Sequence, residues 1–579
     1  MNINTIKTLL KILPEQLYVQ EKKLMNLTKS VDLNILCSLL EQKGHRIDMT
    51  LVEDFVKIKT IEDNKRENDR VRQVIFKFLK VIFQKTNQDE RFHHFHELVQ
   101  IIYHNISQKL LELKQVQSLL TKEEYKKIVR YSIPFVKLEI ILEMFATKDR
   151  SLSYSKDVTI LVEELVEYLK QPFLLREEVY EIAKNTLPDT DKNSKVTGYR
   201  LESVVDCGGY LSEYAKLEIS IDKECVYRYF IKSLPKKPND LHEVLTKPSF
   251  NKELLFYKEF IPTLKQLGAV HLDFLPECYM VGKDFMVLKD LAFEGYSSSF
   301  KCCCEYDHLL LAIRQLAKMH SLSIIFEEKM SKILGAKVKI DQCFPGVVVE
   351  SQFLPQELTE AHIQHAANVL KRYPHLVNTS TSMEELTNKA VKKLSEIYEV
   401  VKKSGKYRNV LTHGDLWTTN LFYKTDSNKQ LEHCVLLDYQ LMRYAPQALD
   451  LLMLLHVNTA KEVRQQRMQD LLHVYYSELR SILHNFDIDL EKISPFNDLV
   501  QSVQELKLFG VFAGTFLNNF VSLPKEQFHE ILKDPKIDFW CNHIQREDAI
   551  QSLWDDVDPE WKKKIEENAE DLVELCENM

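Results

Sequence analysis

The chain has 579 residues, 45% of them hydrophobic and 28% charged, with a formal net charge of −8 at pH 7. That length exceeds one small domain and implies about two to four, and the balance of apolar and charged residues is that of an ordinary soluble globular protein. Charges of both signs are spread along the chain, which argues against nucleic acid as the main partner. The 11 cysteines are scattered, mostly singly, and suit reduced thiols rather than a disulfide framework. The run Cys302-Cys303-Cys304 has no second pair at zinc-finger spacing and reads as a loop before a helix. Met1 to Pro14 lacks the apolar core and cleavage site of a signal peptide, and no stretch approaches the ~18 uninterrupted apolar residues that span a bilayer. A cytoplasmic protein with no membrane span is expected.

Residues 1–172 form the first region. They hold no glycine except Gly44 and only Pro14, Pro134 and Pro172. Their apolar residues recur at helical spacing, as at Leu98, Ile101, Ile102 and Asn105, so several α-helices are expected. One more helix is expected over 177–184.

From about Phe173 the texture changes. Runs rich in β-branched and aromatic residues at 199–205, 214–219 and 226–233 predict strands, followed by a helix over 250–267. A hairpin follows, with strands at 278–281 and 285–288 turning at Gly282-Lys283-Asp284. The strand Val226-Tyr227-Arg228-Tyr229-Phe230-Ile231-Lys232-Ser233 places Lys232 near its end. A lysine there can reach nucleotide phosphates if a carboxylate fixes its rotamer, and Glu253 stands ready in the next helix. Taken alone, Lys232 and Glu253 would read as two solvated charges. Upstream, Asp206-Cys207-Gly208-Gly209-Tyr210-Leu211-Ser212 joins two strands. Its paired glycines would let backbone N–H groups approach phosphates, which assigns Gly208, Gly209 and Ser212 to the nucleotide, although a Gly-Gly turn is as often a plain hairpin. Leu288-Lys289-Asp290-Leu291 falls at the junction of the β-rich and helical regions, where backbone at Leu288 and Asp290 would meet the adenine edge.

After Leu291 the chain reads as mostly helical, with one interruption that decides the chemistry. His413-Gly414-Asp415-Leu416-Trp417-Thr418-Thr419-Asn420 precedes two expected strands, 421–424 and 432–439, around a polar turn at 425–430. An Asp, an Asn and a second Asp, Asp438, at this spacing form the layout of kinases, in which the first accepts the substrate hydroxyl proton and the other two hold magnesium. The hairpin would bring Asn420 and Asp438 close enough to share an ion. That context reverses the odds on Lys232 and Glu253.

Residues from about 173 to the C-terminus resemble the CHK-like, or ecdysteroid kinase-like, family, a relative of choline kinases and aminoglycoside phosphotransferases. The matching phrases are YFIKSLP, NKELLFYKEFIP, FMVLKDL, LAKMHSLS, HGDLWTTNLFY, LLDYQ and APQALDLLMLL. The resemblance implies an α+β, bilobal protein-kinase-like fold, with a small β-rich lobe at 173–290 and a helical lobe at 291–579. It implies an ATP- and Mg2+-dependent phosphotransferase acting on a small-molecule alcohol, with an ecdysteroid-like sterol the leading candidate. By position, Asp415 resembles the catalytic base, Asn420 and Asp438 the metal ligands, and Lys232 with Glu253 the phosphate-holding pair. His413 would orient the catalytic loop and Asp450 brace it. The chain departs from the family pattern at Cys207-Gly208-Gly209-Tyr210-Leu211-Ser212 and at Lys289, where the family has another glycine loop and a glutamate. These departures, with the extra helical region, keep open a nucleotide-binding scaffold without catalysis.

A chain beginning near Phe173 is expected to fold as a complete kinase. Residues 1–172 are then an all-helical extension, and they carry a faint echo of the C-terminal lobe. With Phe78 set on Leu451 and Leu110 on Leu483, identical pairs fall at Leu79 and Leu452, Thr86 and Thr459, Arg91 and Arg464, Leu98 and Leu471, Tyr103 and Tyr476, and Leu110 and Leu483. Shared helical periodicity accounts for this as well as ancestry does. The position matching His413 is Leu40, with no HGD nearby, so a second copy would have no catalytic centre.

Overall fold

The computed structural model describes residues 122–146, 174–188, 194–204, 212–222, 225–235, 245–268, 271–298, 302–348, 356–377, 382–521 and 558–577, with isolated positions between 75 and 103 and at 160, 161 and 164. By internal contacts the chain divides into two compact units, Met1–Leu201 with Leu217–Tyr227, and Glu202–Lys216 with Arg228–Met579. This division falls past the boundary at 172 drawn from the sequence, and the reason is visible in the first unit.

There, α1 (Lys122–Ala146) runs unbroken through Pro134, and α2 (Arg176–Thr186) begins with the Leu175 N–H donating to Glu178 Oε2 at 2.7 Å. Lys137 is buried with its Nζ 2.9 Å from Glu164 and 2.7 Å from Glu177. Arg91 reaches the same Glu164 at 3.4 Å, and Arg130 holds Glu178 at 2.6 Å. Burial works to lower the Lys137 pKa, but the Glu164 and Glu177 carboxylates outweigh it and hold the ammonium above its ordinary range. Taking one partner from such a buried set leaves an uncompensated charge, so α2 belongs with the helices before it.

The predicted strands form at the expected places as β1 (Val196–Val204), β2 (Glu213–Ile221), β3 (Val226–Ser233), β4 (Cys278–Val281) and β5 (Phe285–Lys289), in a sheet ordered β1-β2-β3-β5-β4. β3 lies antiparallel to β5, with Lys232 opposite Met286. The helix expected over 250–267 is α3 (Lys247–Leu255) and α4 (Ile261–Gln266) joined by a π-helical turn at Phe256–Phe260. Pro262 explains the turn. It has no N–H to continue the α-ladder, and the Ile261 N–H reaches back to Phe256 O instead.

The helical lobe is built on α5 (Tyr306–Leu334), which has the length and apolar composition to cross a membrane, yet 78% of its most apolar stretch is buried inside the protein. It is a core helix, and the same large core takes in Phe256 and Phe260 from the small lobe. α6 (Gln356–Val369) and α7 (Met383–Leu394) follow. Two small antiparallel sheets come next: β7 (Asn409–Thr412) pairs with β10 (Arg443–Pro446), and β8 (Leu421–Thr425) lies between β6 (Tyr296–Ser297) and β9 (Leu431–Leu436). The lobe ends in α8 (Ala448–Asn458), α9 (Lys461–His484), α10 (Phe496–Glu505), α11 (Lys507–Val521) and α12 (Pro559–Glu577). A small β-rich lobe followed by a helical one is the bilobal, protein-kinase-like α+β fold that the sequence implied.

Candidate functional site

Lys232 is the natural starting point, because its surroundings join three distant parts of the chain. It comes from the buried end of β3, and its Nζ lies 2.5 Å from Glu253 Oε2 and 2.8 Å from Asp438 Oδ1. Burial acts to lower its pKa, but the carboxylates of Asp438 and Glu253 more than compensate and hold the ammonium charged. Glu253 is itself 1% exposed, and its other oxygen accepts the Tyr439 N–H at 3.2 Å. The ion pair therefore fixes α3, β3 and the chain after β9 in one arrangement.

The hairpin of β8 and β9 places the second group. β8 and β9 pair with Leu421 opposite Leu436, and the Leu437 N–H donates to Asn420 O at 2.9 Å, so Asn420 and Asp438 stand at the same end. Here the expectation of a strand through residue 439 needs correction. β9 stops at Leu436, and Asp438 adopts φ +69°. That left-handed turn lets its side chain face Lys232 while its backbone leaves the sheet. Asn420 Nδ2 donates to Asp415 O at 2.8 Å and to Asp415 Oδ2 at 3.0 Å. Burial, reinforced by the nearby charge of Asp438, pushes the Asp415 carboxyl up to about 8, against the pull of Asn420 and Lys232.

The loop bearing Asp415 is held from behind. Asp450, fully buried in α8, accepts the His413 N–H at 2.6 Å and the Gly414 N–H at 2.9 Å. Its Oδ2 also meets His320 Nε2 at 2.9 Å, and His320 Nδ1 lies 2.7 Å from the Tyr475 hydroxyl. Burial alone would raise the Asp450 pKa, but His320 and the backbone donors hold it below the ordinary value. Gly414 has φ +77°, and a Cβ there would lie 2.2 Å from Leu441 O, so the turn requires glycine. His413 is buried against the Tyr439 ring at 4.8 Å and accepts the Asp415 N–H at Nδ1, 3.3 Å away. Burial pushes its imidazole down to about 4, leaving it neutral.

The remaining expected residues are placed as follows. Ser212 is buried, and its hydroxyl accepts from Gln440 Nε2 at 2.7 Å, tying the start of β2 to the residue two after Asp438. Gly208 and Gly209 lie outside the described residues. Leu288 is buried within β5. Asp290 is buried too, and its Oδ1 caps the following turn by accepting the Phe293 N–H at 3.2 Å. The links through Gln440, Tyr439 and Tyr475 were not singled out from the sequence. Only their position inside LLDYQ marks the first two, and nothing local marks Tyr475.

The sequence model of the ecdysteroid kinase-like family matches residues 206–487. No curated protein matches the chain. Among solved structures, an ADP-bound aminoglycoside phosphotransferase APH(2'')-Ib is 15% identical, with 59% of this chain and 99% of that one covered and a TM-score of 0.26. A streptomycin–ATP–APH(2'')-IIa ternary complex is 13% identical over 64% of this chain and 99% of that one, with a TM-score of 0.28. At these scores no residue or ligand is carried over from them.

Proposed function

We propose that this chain, which over residues 206–487 belongs to the ecdysteroid kinase-like family, is a phosphotransferase that moves a phosphoryl group from ATP to the hydroxyl of a small molecule. The observation that carries this reading is the linked set Lys232, Glu253 and Asp438 beside the Asn420-bound Asp415. These are residue types that phosphoryl transfer uses, which supports the reading.

In this reading Lys232 neutralises nucleotide phosphates, with Glu253 fixing its rotamer. Asn420 and Asp438 are fitted to Mg2+. They offer hard oxygen donors, and among the described residues neither Asn420 Oδ1 nor the second Asp438 oxygen has a hydrogen-bond partner. So small a protein ligand set suits an ion that completes its coordination with phosphate and water. When bound, such an ion would screen the charge of the transferred phosphoryl group. Asp415 receives the proton of the acceptor hydroxyl. A carboxyl pushed up to about 8 can take and return a proton near neutral pH. Asp450 and His413 hold Asp415 in place without touching the reactants.

For the acceptor we favour a neutral or weakly polar alcohol, an ecdysteroid-like sterol first. The match to the family supports this. The deciding experiment is ATP turnover over a panel of sterols, choline and aminoglycosides with the natural chain and Asp415→Asn. The variant should bind ATP normally while kcat falls ~10²-fold or more. Binding without turnover in the natural chain would instead support a scaffold, and turnover of choline or an aminoglycoside alone would replace the sterol.

A further inference from the structure

Three cysteines before α5 take no part in the site described above. Cys302 is 5% exposed and packs with Cys303 against Trp561 of α12. The two sulfurs are 3.9 Å apart, and Cys302 Sγ lies 3.7 Å from Glu560 O. Lys564, one turn along α12, is buried with its Nζ on the Thr459 carbonyl, which also accepts from Arg464 Nη1 at 2.7 Å. Two buried cations beside a half-buried thiol favour its thiolate. The adjoining Cys302 sulfur, which can turn its S–H toward a Cys303 thiolate, and those cations bring Cys303 down to about 7 in spite of burial.

The same segment is tied to the catalytic loop. The Cys304 N–H donates to Asn458 O at 2.8 Å, and Asn458 Nδ2 donates to Leu416 O at 2.7 Å. Leu416 follows Asp415 directly. A disulfide needs its sulfurs at about 2.05 Å, so closing this pair must shift the backbone beside Cys304.

We propose that Cys302 and Cys303 form a peroxide-reactive dithiol whose oxidation loosens Asn458's hold on the loop of Asp415. The Cys303 thiolate attacks a peroxide oxygen, the O–O bond breaks, hydroxide leaves with a proton as water, and a sulfenic acid remains. The Cys302 sulfur then attacks Cys303 Sγ; the S–S bond forms, the S–O bond breaks, and the oxygen leaves as a second water. The loss of activity rests on the phosphotransferase reading; the modification does not.

The full chain, treated with hydrogen peroxide and mapped by mass spectrometry, should show a peptide bearing Cys302 and Cys303 lighter by two hydrogens. Dithiothreitol should restore it, and Cys303→Ser should not form it. Phenylarsine oxide, which bridges close thiol pairs, should protect the natural chain and not the variant. Oxidation confined to the exposed Cys225 and Cys343 overturns the site. A disulfide that leaves phosphotransfer unchanged overturns the link to the loop. If no condition gives turnover, the mass measurement still decides the site.

A second inference compares the first unit with the helical end of the second. At the register that sets Phe78 on Leu451, the described helical positions from 75 to 83 fall on α8 and those from 91 to 103 on α9. Without a gap, α1 then falls on 495–519, running unbroken over the span that α10 and α11 divide at Leu506. Arg91 and Arg464 coincide, and each is buried in an ion pair with a later acid, Glu164 at 3.4 Å and Asp571 at 2.6 Å. Around those acids, Glu163-Glu164-Leu165-Val166-Glu167 echoes Glu570-Asp571-Leu572-Val573-Glu574, at a register 34 residues further on than that of the arginines. Helical periodicity alone does not give the matched ion pair. We infer that residues 75–167 are a second, non-catalytic copy of the helical end of the kinase lobe. An experimental structure of the full chain should superpose 75–146 on 448–519 without gaps, and titration should find one ATP site per chain. A different helix order, or two ATP sites, overturns the inference.

Discussion

At the scale of single residues, the site depends on charges that are buried and cannot be removed one at a time. Asp438→Ala should abolish Mg2+-dependent nucleotide binding, whereas Lys232→Ala should weaken ATP binding but leave its dependence on Mg2+. Calorimetric titration with and without the ion separates the two, and unchanged Mg-ATP affinity in Asp438→Ala would remove Asp438 from the metal. Gly414→Ala sets a Cβ against Leu441 O at a positive φ. It should cost about 1–3 kcal/mol, read from the urea midpoint, along with most of the activity. The sequence marked Lys232, Glu253, Asp415, Asn420 and Asp438 as candidates because their types and spacing are constrained together. It did not reveal the contact of Gln440 with Ser212, because that bond joins residues far apart whose types are common anywhere.

At the scale of elements, periodicity identified nearly every strand of the small lobe and the helix around Glu253. It failed where a single backbone departure decides the geometry. The alternating apolar run to Tyr439 reads as continuous strand, yet Asp438 turns out of it, and the π-helical turn before Pro262 has no signature in hydrophobic pattern. One element also carries a pH dependence. His456 in α8 is fully buried, and burial pushes its imidazole down to about 4 despite its contact with Asp571 at 3.3 Å. Between the ordinary histidine value near 6.5 and about 4, the unfolded chain binds the proton and the folded chain does not. The stability from keeping His456 neutral is therefore complete above pH about 6.5 and is lost as the pH falls toward 4, a change of about 3 kcal/mol. His456→Phe, which installs the residue found at the matching place in the first unit, Phe83, should flatten denaturant midpoints over that window. A variant with the natural chain's pH dependence would show that another group causes it.

At the scale of the whole molecule, the texture of the sequence changes near residue 173 because the catalytic phrases begin there, but the packing divides elsewhere. α2 buries Val179, Tyr180, Ile182 and Ala183, and its Glu177 meets Lys137 from α1. A boundary at 172 therefore cuts through a core and a buried ion pair, neither of which can be read from one sequence without knowing which helices meet. The candidate site residues Lys232, Glu253, Asp415, Asn420 and Asp438, with Asp450 behind them, lie wholly within the second unit. These two facts give a prediction opposite to the one drawn from motifs alone. A chain starting at Phe173 keeps the chemistry but presents α2's apolar face to water, where each large side chain forfeits about 1.5–3 kcal/mol of burial. It should aggregate or melt with reduced cooperativity, while its folded fraction turns over normally per active site. A chain starting at Ser194 lacks that helix altogether and should be more soluble than the longer one. Light scattering and calorimetry on the two, beside the full chain, settle the matter: a monodisperse, cooperatively melting protein from Phe173 onward would show that α2 does not need the helices before it.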